Sequence, residues 1–170
     1  YLKNLKKHSN DNTFVIDIMP YNFRYIGLLL AAFPDCKIVH VSRDVAAVCW
    51  SIFKQYFLST ELGYCYALPD IVDYYALYLD LMRFWQAKFR NPFYNLDYEL
   101  LTVNQETETK KLIQYIGLEW EEMLLVPESN RRSVATASDI QVRQKVYRDS
   151  SRGWILYKPW LNGILDNLND

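Results

Sequence analysis

The chain has 170 residues, of which 51% are apolar, and a net charge of −1 from 19 Lys and Arg against 20 Asp and Glu. This composition indicates one folded domain and excludes a disordered or fibrous chain. The balanced charge argues against a nucleic acid partner, which favours a strongly basic face. No apolar run reaches the roughly 18 residues of a membrane span. The three cysteines follow no zinc-ligand spacing and predict free thiols in a cytoplasmic protein without a metal.

The first part of the chain predicts a strand, a helix and a second strand. Residues 13–20, "TFVIDIMP", form a short apolar run ended by a proline, which is typical of a strand. Residues 21–33 carry apolar side chains at helical spacing. Residues 37–42 are apolar at nearly every position, as in a parallel strand covered on both faces. Together these elements predict a βαβ unit with a right-handed crossover.

The rest of the chain predicts mainly helices around one more strand, and so an α/β fold with a parallel sheet flanked by helices. Asp44 suits the N-cap of the helix that follows the second strand, and Asp70 suits that of a long amphipathic helix. The remaining predictions are a third strand at residues 93–98, a helix from 104 that stops at Gly117, and a final helix at about 154–168.

Arg43 is the first candidate for a binding residue, because it follows the second predicted strand directly. Ligands of open parallel sheets bind beyond the carboxyl ends of the strands. Ser51 and Lys54 lie in the next helix, whose start offers free N–H groups. A guanidinium, a hydroxyl and an ammonium together suit a phosphate monoester. The plain alternative is a surface pair of Arg43 with Asp44 and an ordinary helical serine.

A second candidate is the basic, irregular segment 128–154, whose hydroxyls and guanidiniums would make an anion clamp. The alternative is a solvated surface strap, with Ser150 and Ser151 as cap residues. Tyr98, at the end of the third strand, could stack on or hydrogen-bond a base, or could simply pack in the strand. His40 lies inside an apolar strand and is interpreted as a core residue whose polar atoms are satisfied.

Four segments resemble PAPS-dependent sulfotransferases, where PAPS is 3′-phosphoadenosine 5′-phosphosulfate. "FPDCKIVHVSRDVAAVCWSIFKQYF" resembles the family's 3′-phosphate segment, with Arg-Asp after a strand and Ser eight residues beyond the Arg. "DIMPYNFRYIGLLLAAFPD" resembles its "DKxP" strand and helix, and "YNLDYELL" its "YE-x-L" strand. "SVATASDIQVRQKVYRDSSRGW" is similar to the nucleotide-covering segment of tyrosylprotein sulfotransferases and bacterial tetratricopeptide-linked sulfotransferases. The resemblance implies a P-loop nucleotide hydrolase-like fold in one partial domain, residues 1–170.

The resemblance also implies roles for individual residues. Arg43 and Ser51 would hold the 3′-phosphate, Lys54 would add a basic ligand, and Tyr98 would approach the adenosine. Ser138 matches the serine that steadies the transferring sulfuryl group. The reaction implied is transfer of SO₃ from PAPS to an acceptor hydroxyl or amine, which leaves 3′,5′-ADP and requires no metal. Further nucleotide ligands are expected at Gln141, Arg143, Lys145 and Arg152. The family has the motif Gly-Arg-Trp at this last position, whereas this chain has Arg152-Gly153-Trp154.

The sequence departs from the family in its first part. The family's 5′-phosphosulfate loop is expected before Tyr1, together with the usual general base, and the lysine of "DKxP" is Ile18. We therefore expect an N-terminally truncated sulfotransferase fold with little or no activity. Two alternatives stay open: a non-catalytic nucleotide-binding or interaction module, and a P-loop-related phosphotransferase, although the chain lacks GK[ST]. The acceptor is unidentified, and an exposed sheet edge makes a homo-oligomer possible.

Overall fold

The computed structural model describes residues 14–57, 60–90, 92–130 and 143–168. Within them, strands β1 (Val39–Ser42) and β2 (Tyr94–Asp97) form a parallel pair. The register sets Val39 opposite Tyr94 and Ser42 opposite Asp97. The positions of the second and third predicted strands and the α/β class are thereby confirmed. The prediction that the second strand is covered on both faces is wrong for the described residues, because Val41 is 54% exposed.

The described part of the chain also contains five α-helices. They are α1 (Ile26–Ala32), α2 (Val45–Phe53), α3 (Leu68–Lys88), α4 (Tyr98–Val103) and α5 (Gln105–Ile116). The connection from β1 to β2 contains α2, the 3₁₀-helix Thr60–Tyr66 and α3, while α4 follows β2 without a break. No helix of the described ranges combines the length and the apolar character needed to cross a membrane.

The helix ends largely follow the predicted capping signals. The Asp44 carboxylate accepts a hydrogen bond from the Ala47 N–H at 2.7 Å, which confirms the N-cap of α2. Gly117, with φ of +82°, ends α5 in the left-handed conformation that glycine adopts at low cost. The long helix α3 begins at Leu68 instead of after Asp70, because Pro69 is accommodated in its first turn.

The strand predicted at residues 13–20 is wrong for the described residues 14–19, which are exposed and irregular and lead into the 3₁₀-helix Pro20–Tyr25. A cavity of about 880 Å³ lies between residues 15–19 and residues 37–41. Because of this gap the segment does not pair with the edge of β1, and a strand needs backbone partners. The predicted βαβ unit therefore lacks its first strand.

The final helix predicted at about 154–168 is also wrong as an α-helix. The structure has a 3₁₀-helix, Ser150–Trp160, followed by turns. Pro159 lies inside this segment and cannot donate a backbone hydrogen bond. Beyond it the backbone turns left-handed at Asn162, Gly163 and Asn167, with φ of 49°, 75° and 59°. A regular α-helix cannot continue through such residues.

The main core cluster joins α2 and α3 to the C-terminal segment. Cys49 and Ile71 are almost fully buried, at 0% and 1% exposure, and Leu165 packs with them. The ring centroids of Trp50 and Tyr157 are 4.7 Å apart. These contacts hold the 3₁₀-helix Ser150–Trp160 against α2, so its first residues lie near the carboxyl end of β1.

Candidate functional site

The strand register brings Arg43 and Tyr98 together. Both strands end at the paired residues Ser42 and Asp97, and Arg43 and Tyr98 are the next residues of their strands. The Arg43 Cζ atom lies 4.8 Å from the centroid of the Tyr98 ring, a cation–π contact between two half-buried side chains. The carboxyl end of the sheet, where such folds bind ligands, therefore carries a fixed positive charge on an aromatic surface.

Two serines from the other end of the chain approach the Arg43 guanidinium. Arg43 Nε donates to Ser151 Oγ at 3.0 Å, and Nη2 donates to Ser150 Oγ at 3.4 Å. Ser150 Oγ also lies 3.0 Å from the Tyr98 hydroxyl. These contacts bridge 107 and 108 residues of sequence. The N-cap of the 3₁₀-helix Ser150–Trp160 is Asp149, while the hydroxyls of Ser150 and Ser151 contact Arg43.

The backbone just before the two serines is left-handed. Asp149 has φ of 66° and ψ of 8°, a conformation that aspartate tolerates better than most residues. Arg148 Nη2 donates to the Val103 carbonyl at 3.2 Å and so ties this segment to the end of α4. Strained backbone of this kind is found where a structure must aim side chains at a site. Here it directs the chain into the turn that presents Ser150 and Ser151 to Arg43.

Glu99 completes the network from the first turn of α4. The Ser151 hydroxyl donates to Glu99 Oε1 at 2.5 Å, and the Asp44 backbone N–H lies 3.5 Å from the same oxygen. Sequence reasoning missed Glu99, although it stands next to Tyr98 in the quoted "NLDYEL" segment. Asp44 caps α2 and so does not take the role of a surface partner for Arg43. The Ala47 N–H that the cap uses is consequently not free for a ligand.

The other predicted ligands that the structure describes lie outside this network. Ser51 is exposed on α2, and Lys54 stacks over Trp50 with 5.7 Å between the Lys54 Nζ and the ring centroid. Arg143 and Lys145 are exposed, and Arg143 donates to the Asn130 carbonyl.

Arg152 is also exposed, with its Nη1 3.7 Å from the Asp149 carboxylate. Ser138 and Gln141 lie outside the described residues. Among the predicted site residues that the structure describes, Arg43 and Tyr98 are in direct contact.

His40 is confirmed as a residue with satisfied ring nitrogens. Its Nδ1 lies 2.8 Å from Asn95 Oδ1, and its Nε2 contacts the Tyr78 hydroxyl. Each ring nitrogen of His40 thus has a hydrogen-bonding partner, one from β2 and one from α3. With both nitrogens engaged in this way, His40 is a structural residue that links β1 to α3 and β2.

Comparison with known proteins defines the class. Residues 1–122 match the sequence model described as the sulfotransferase family. The chain belongs to the sulfotransferase family, which implies a P-loop-like fold and agrees with the mixed α/β structure and its small parallel sheet. Arg43 and Tyr98 lie inside the matched residues, and Ser150 and Ser151 lie beyond them.

A relative in Aquifex aeolicus (strain VF5), described as an uncharacterized protein, is 31% identical over 172 residues. The match covers 100% of this chain and 23% of that protein. The chain therefore spans about a quarter of the length of the relative that it resembles.

Proposed function

We propose that this chain binds PAPS and its product 3′,5′-ADP, with Arg43 as the principal ligand of the 3′-phosphate. The observation that carries the proposal is the Arg43 guanidinium, seated on Tyr98 and bonded only to neutral hydroxyls of Ser150 and Ser151 in the contacts described above. Among the described residues, no carboxylate forms a direct ion pair with this guanidinium, so its charge is available to an anionic ligand. Such a group suits a phosphate monoester, which arginine binds through paired N–H donors.

The adenosine half of the ligand would lie beside Tyr98. The Tyr98 ring offers a π surface, and its hydroxyl lies within the serine network. Ser51, Lys54, Gln141, Arg143, Lys145 and Arg152 remain proposed as further nucleotide ligands.

The reaction proposed is sulfuryl transfer from PAPS to an acceptor hydroxyl or amine. The bond from sulfur to the bridging oxygen of the phosphosulfate breaks while a bond to the acceptor oxygen or nitrogen forms. The leaving group is 3′,5′-ADP, and the acceptor's proton passes to a base. Fixed cations and hydrogen-bond donors stabilise the charge that develops on the sulfuryl and leaving-group oxygens. Ser138 is proposed as one of these donors.

We expect sulfuryl transfer by this chain to be slow. Ile18 stands where the resembled family has a lysine, and it is 82% exposed beside the cavity next to β1. An isoleucine cannot neutralise charge on a leaving phosphate. The exposed side chain favours a second candidate function, a nucleotide-binding module without efficient catalysis. Release of 3′,5′-ADP from PAPS in the presence of phenol, sugar and amine acceptors separates the two candidates, since rapid turnover excludes the second.

Binding of the nucleotide is tested by calorimetry with 3′,5′-ADP and 5′-AMP. We expect 3′,5′-ADP to bind at least about tenfold more tightly, since the 3′-phosphate adds charge-assisted hydrogen bonds. Arg43→Ala should remove most of that preference. Arg83→Ala, which deletes an exposed arginine paired with Asp80 on α3, is the matched control and should leave it unchanged. Equal affinities for the two nucleotides in the unmodified protein would overturn the proposal.

A further inference from the structure

Glu99, Ser151 and Arg43 form a continuous chain of hydrogen bonds at the carboxyl end of the sheet. Ser151 Oγ donates to Glu99 Oε1 at 2.5 Å and accepts from Arg43 Nε at 3.0 Å. All three side chains are half-buried. We infer that Glu99 is a positioning residue, which fixes the Ser151 hydroxyl and thereby the Nε edge of Arg43. In its consequences for ligand binding, this inference rests on the function proposed above.

The direction of each hydrogen bond follows from proton counting. A serine hydroxyl has one proton, and Ser151 gives it to a carboxylate oxygen, which can only accept. The lone pairs of Ser151 are then available to Arg43, which has N–H donors and no acceptor. Without Glu99 the Ser151 hydroxyl would be free to rotate. The carboxylate thus makes Ser151 a dedicated acceptor for Arg43.

This arrangement determines which part of Arg43 a ligand meets. Ser151 takes the Nε–H, and Ser150 lies 3.4 Å from Nη2 at the weak end of hydrogen bonding. The remaining N–H groups of the guanidinium are left for a ligand. An incoming phosphate is consequently bound end-on, through the terminal nitrogens, while the Arg43 Cζ atom lies 4.8 Å from the centroid of the Tyr98 ring.

Glu99 also has an electrostatic effect, which weakens anion binding, whereas its positioning of Ser151 strengthens it. Its negative charge lies one hydroxyl away from the guanidinium and opposes the approach of an anion. Replacement by glutamine separates the two effects, because Glu99→Gln removes the charge and keeps an oxygen that accepts from Ser151. Replacement by alanine removes both. Positioning predicts a loss for Glu99→Ala alone, whereas a dominant charge effect predicts that both variants bind an anion more tightly.

The positioning itself is tested without any nucleotide. The solvent exchange of the Arg43 Nε–H is measured by NMR on arginine-labelled protein, with its signal assigned through Arg43→Lys. We expect exchange at least about tenfold faster in Glu99→Ala and Ser151→Ala, and unchanged slow exchange in Glu99→Gln.

Ser150→Ala is the matched control, because Ser150 contacts the same guanidinium but neither Glu99 nor Nε. If Glu99→Ala does not fold, Ser151→Ala still tests the contact of Ser151 with the Arg43 Nε–H. Unchanged Nε–H exchange in Ser151→Ala, or in a folded Glu99→Ala, overturns the inference.

The consequence for binding is measured as the preference for 3′,5′-ADP over 5′-AMP, a ratio that a general loss of stability does not alter. We expect the preference to fall about five- to tenfold in Glu99→Ala and in Ser151→Ala, and to be kept in Glu99→Gln. The variant with both Glu99→Ala and Ser151→Ala should lose no more of the preference than Ser151→Ala alone, because both changes break the same series of hydrogen bonds. Additive losses of the preference would contradict this series of hydrogen bonds. A missing preference in the unmodified protein overturns the proposed nucleotide site, and the exchange rates still decide the role of Glu99.

Discussion

Tyr98 contributes two separable features to the Arg43 site. Its ring lies under the guanidinium at 4.8 Å, and its hydroxyl lies 3.0 Å from Ser150 Oγ. The ring acts through its quadrupole and restricts the orientation of Arg43. The hydroxyl, in contrast, restrains the serine turn that approaches the guanidinium from the other end of the chain.

Substitution at Tyr98 should distinguish these features. Tyr98→Phe keeps the ring and loses one hydrogen bond, so we expect the dissociation constant for 3′,5′-ADP to rise about two- to tenfold. Tyr98→Leu also removes the cation–π contact and should weaken binding further. Calorimetry measures both, with Tyr94→Phe at the other end of β2 as the control. Wild-type affinity in both Tyr98 variants would contradict a role for this side chain.

At the residue scale, the site residues that could be predicted are those that the backbone alone positions. Arg43 and Tyr98 could be predicted because each directly follows an apolar strand, and parallel strands end on the same edge. Ser150, Ser151 and Glu99 could not, because their roles depend on side-chain contacts that span from 52 to 108 residues of sequence. A local signal for the two serines was Asp149, a residue that favours turns, directly before two hydroxyls.

At the element scale, a close contact between α1 and α3 explains one glycine. A Cβ atom added at Gly27 would lie 2.9 Å from Trp85 Cζ3. The Trp85 ring cannot turn away freely, since its Nε1 donates to the Phe23 carbonyl at 2.8 Å and the ring packs on Phe84. A residue without a side chain is therefore needed where the two helices meet.

Gly27→Ala should lower the free energy of unfolding by about 1–3 kcal/mol, because the added methyl group forces Trp85 out of place. This loss would occur although alanine is the better helix former by about 1 kcal/mol. Urea denaturation measures the difference. Gly63→Ala is the matched control, since no atom lies within 4 Å of a Cβ at Gly63, and its change should stay within about 0.5 kcal/mol. Equal stabilities of the two variants would contradict the packing argument.

The elements that sequence patterns predicted correctly have local causes. Capping by Asp44 and termination at Gly117 depend on neighbouring residues alone. The strand at 13–20 failed because its formation depends on a neighbouring edge, from which a cavity separates the described residues. The final α-helix failed because Pro159 and three left-handed residues interrupt an apolar pattern that otherwise suits a helix.

At the scale of the whole molecule, stability at alkaline pH should depend on a buried thiol. Burial raises the pKa of Cys49 from 9.0 to about 11, with a smaller contribution from Asp44, because the thiolate is poorly solvated in the core. The folded protein therefore keeps this proton between about pH 9 and 11, while the unfolded chain loses it. Ionisation favours the unfolded state in this range, so the free energy of unfolding falls as pH rises.

Comparison with Cys49→Ala isolates this effect. The slope of unfolding free energy against pH, between pH 9 and 11, should be shallower in the variant by up to about 1.4 kcal/mol per pH unit. Urea denaturation at several pH values gives the slopes. Comparing slopes removes the loss of stability that the smaller alanine side chain causes at every pH. The thiols of Cys36 and Cys65 contribute equally to the slopes of both proteins. Identical slopes would show that Cys49 does not control alkaline stability.

Membership of the sulfotransferase family sets the whole molecule in a wider context. Because the chain spans 23% of the length of its Aquifex aeolicus relative, sulfuryl transfer and its acceptor are proposals for this chain. The homo-oligomer expected from an exposed sheet edge also stays a prediction. Sedimentation at increasing protein concentration would test it.

The serine contacts to Arg43 join positions 107 and 108 residues apart. A molecule bound across this junction would act as a removable crosslink, since detaching the C-terminal segment would first require releasing the ligand. Local detachment of the C-terminal segment should therefore be rarer in the ligand-bound protein than in the ligand-free protein.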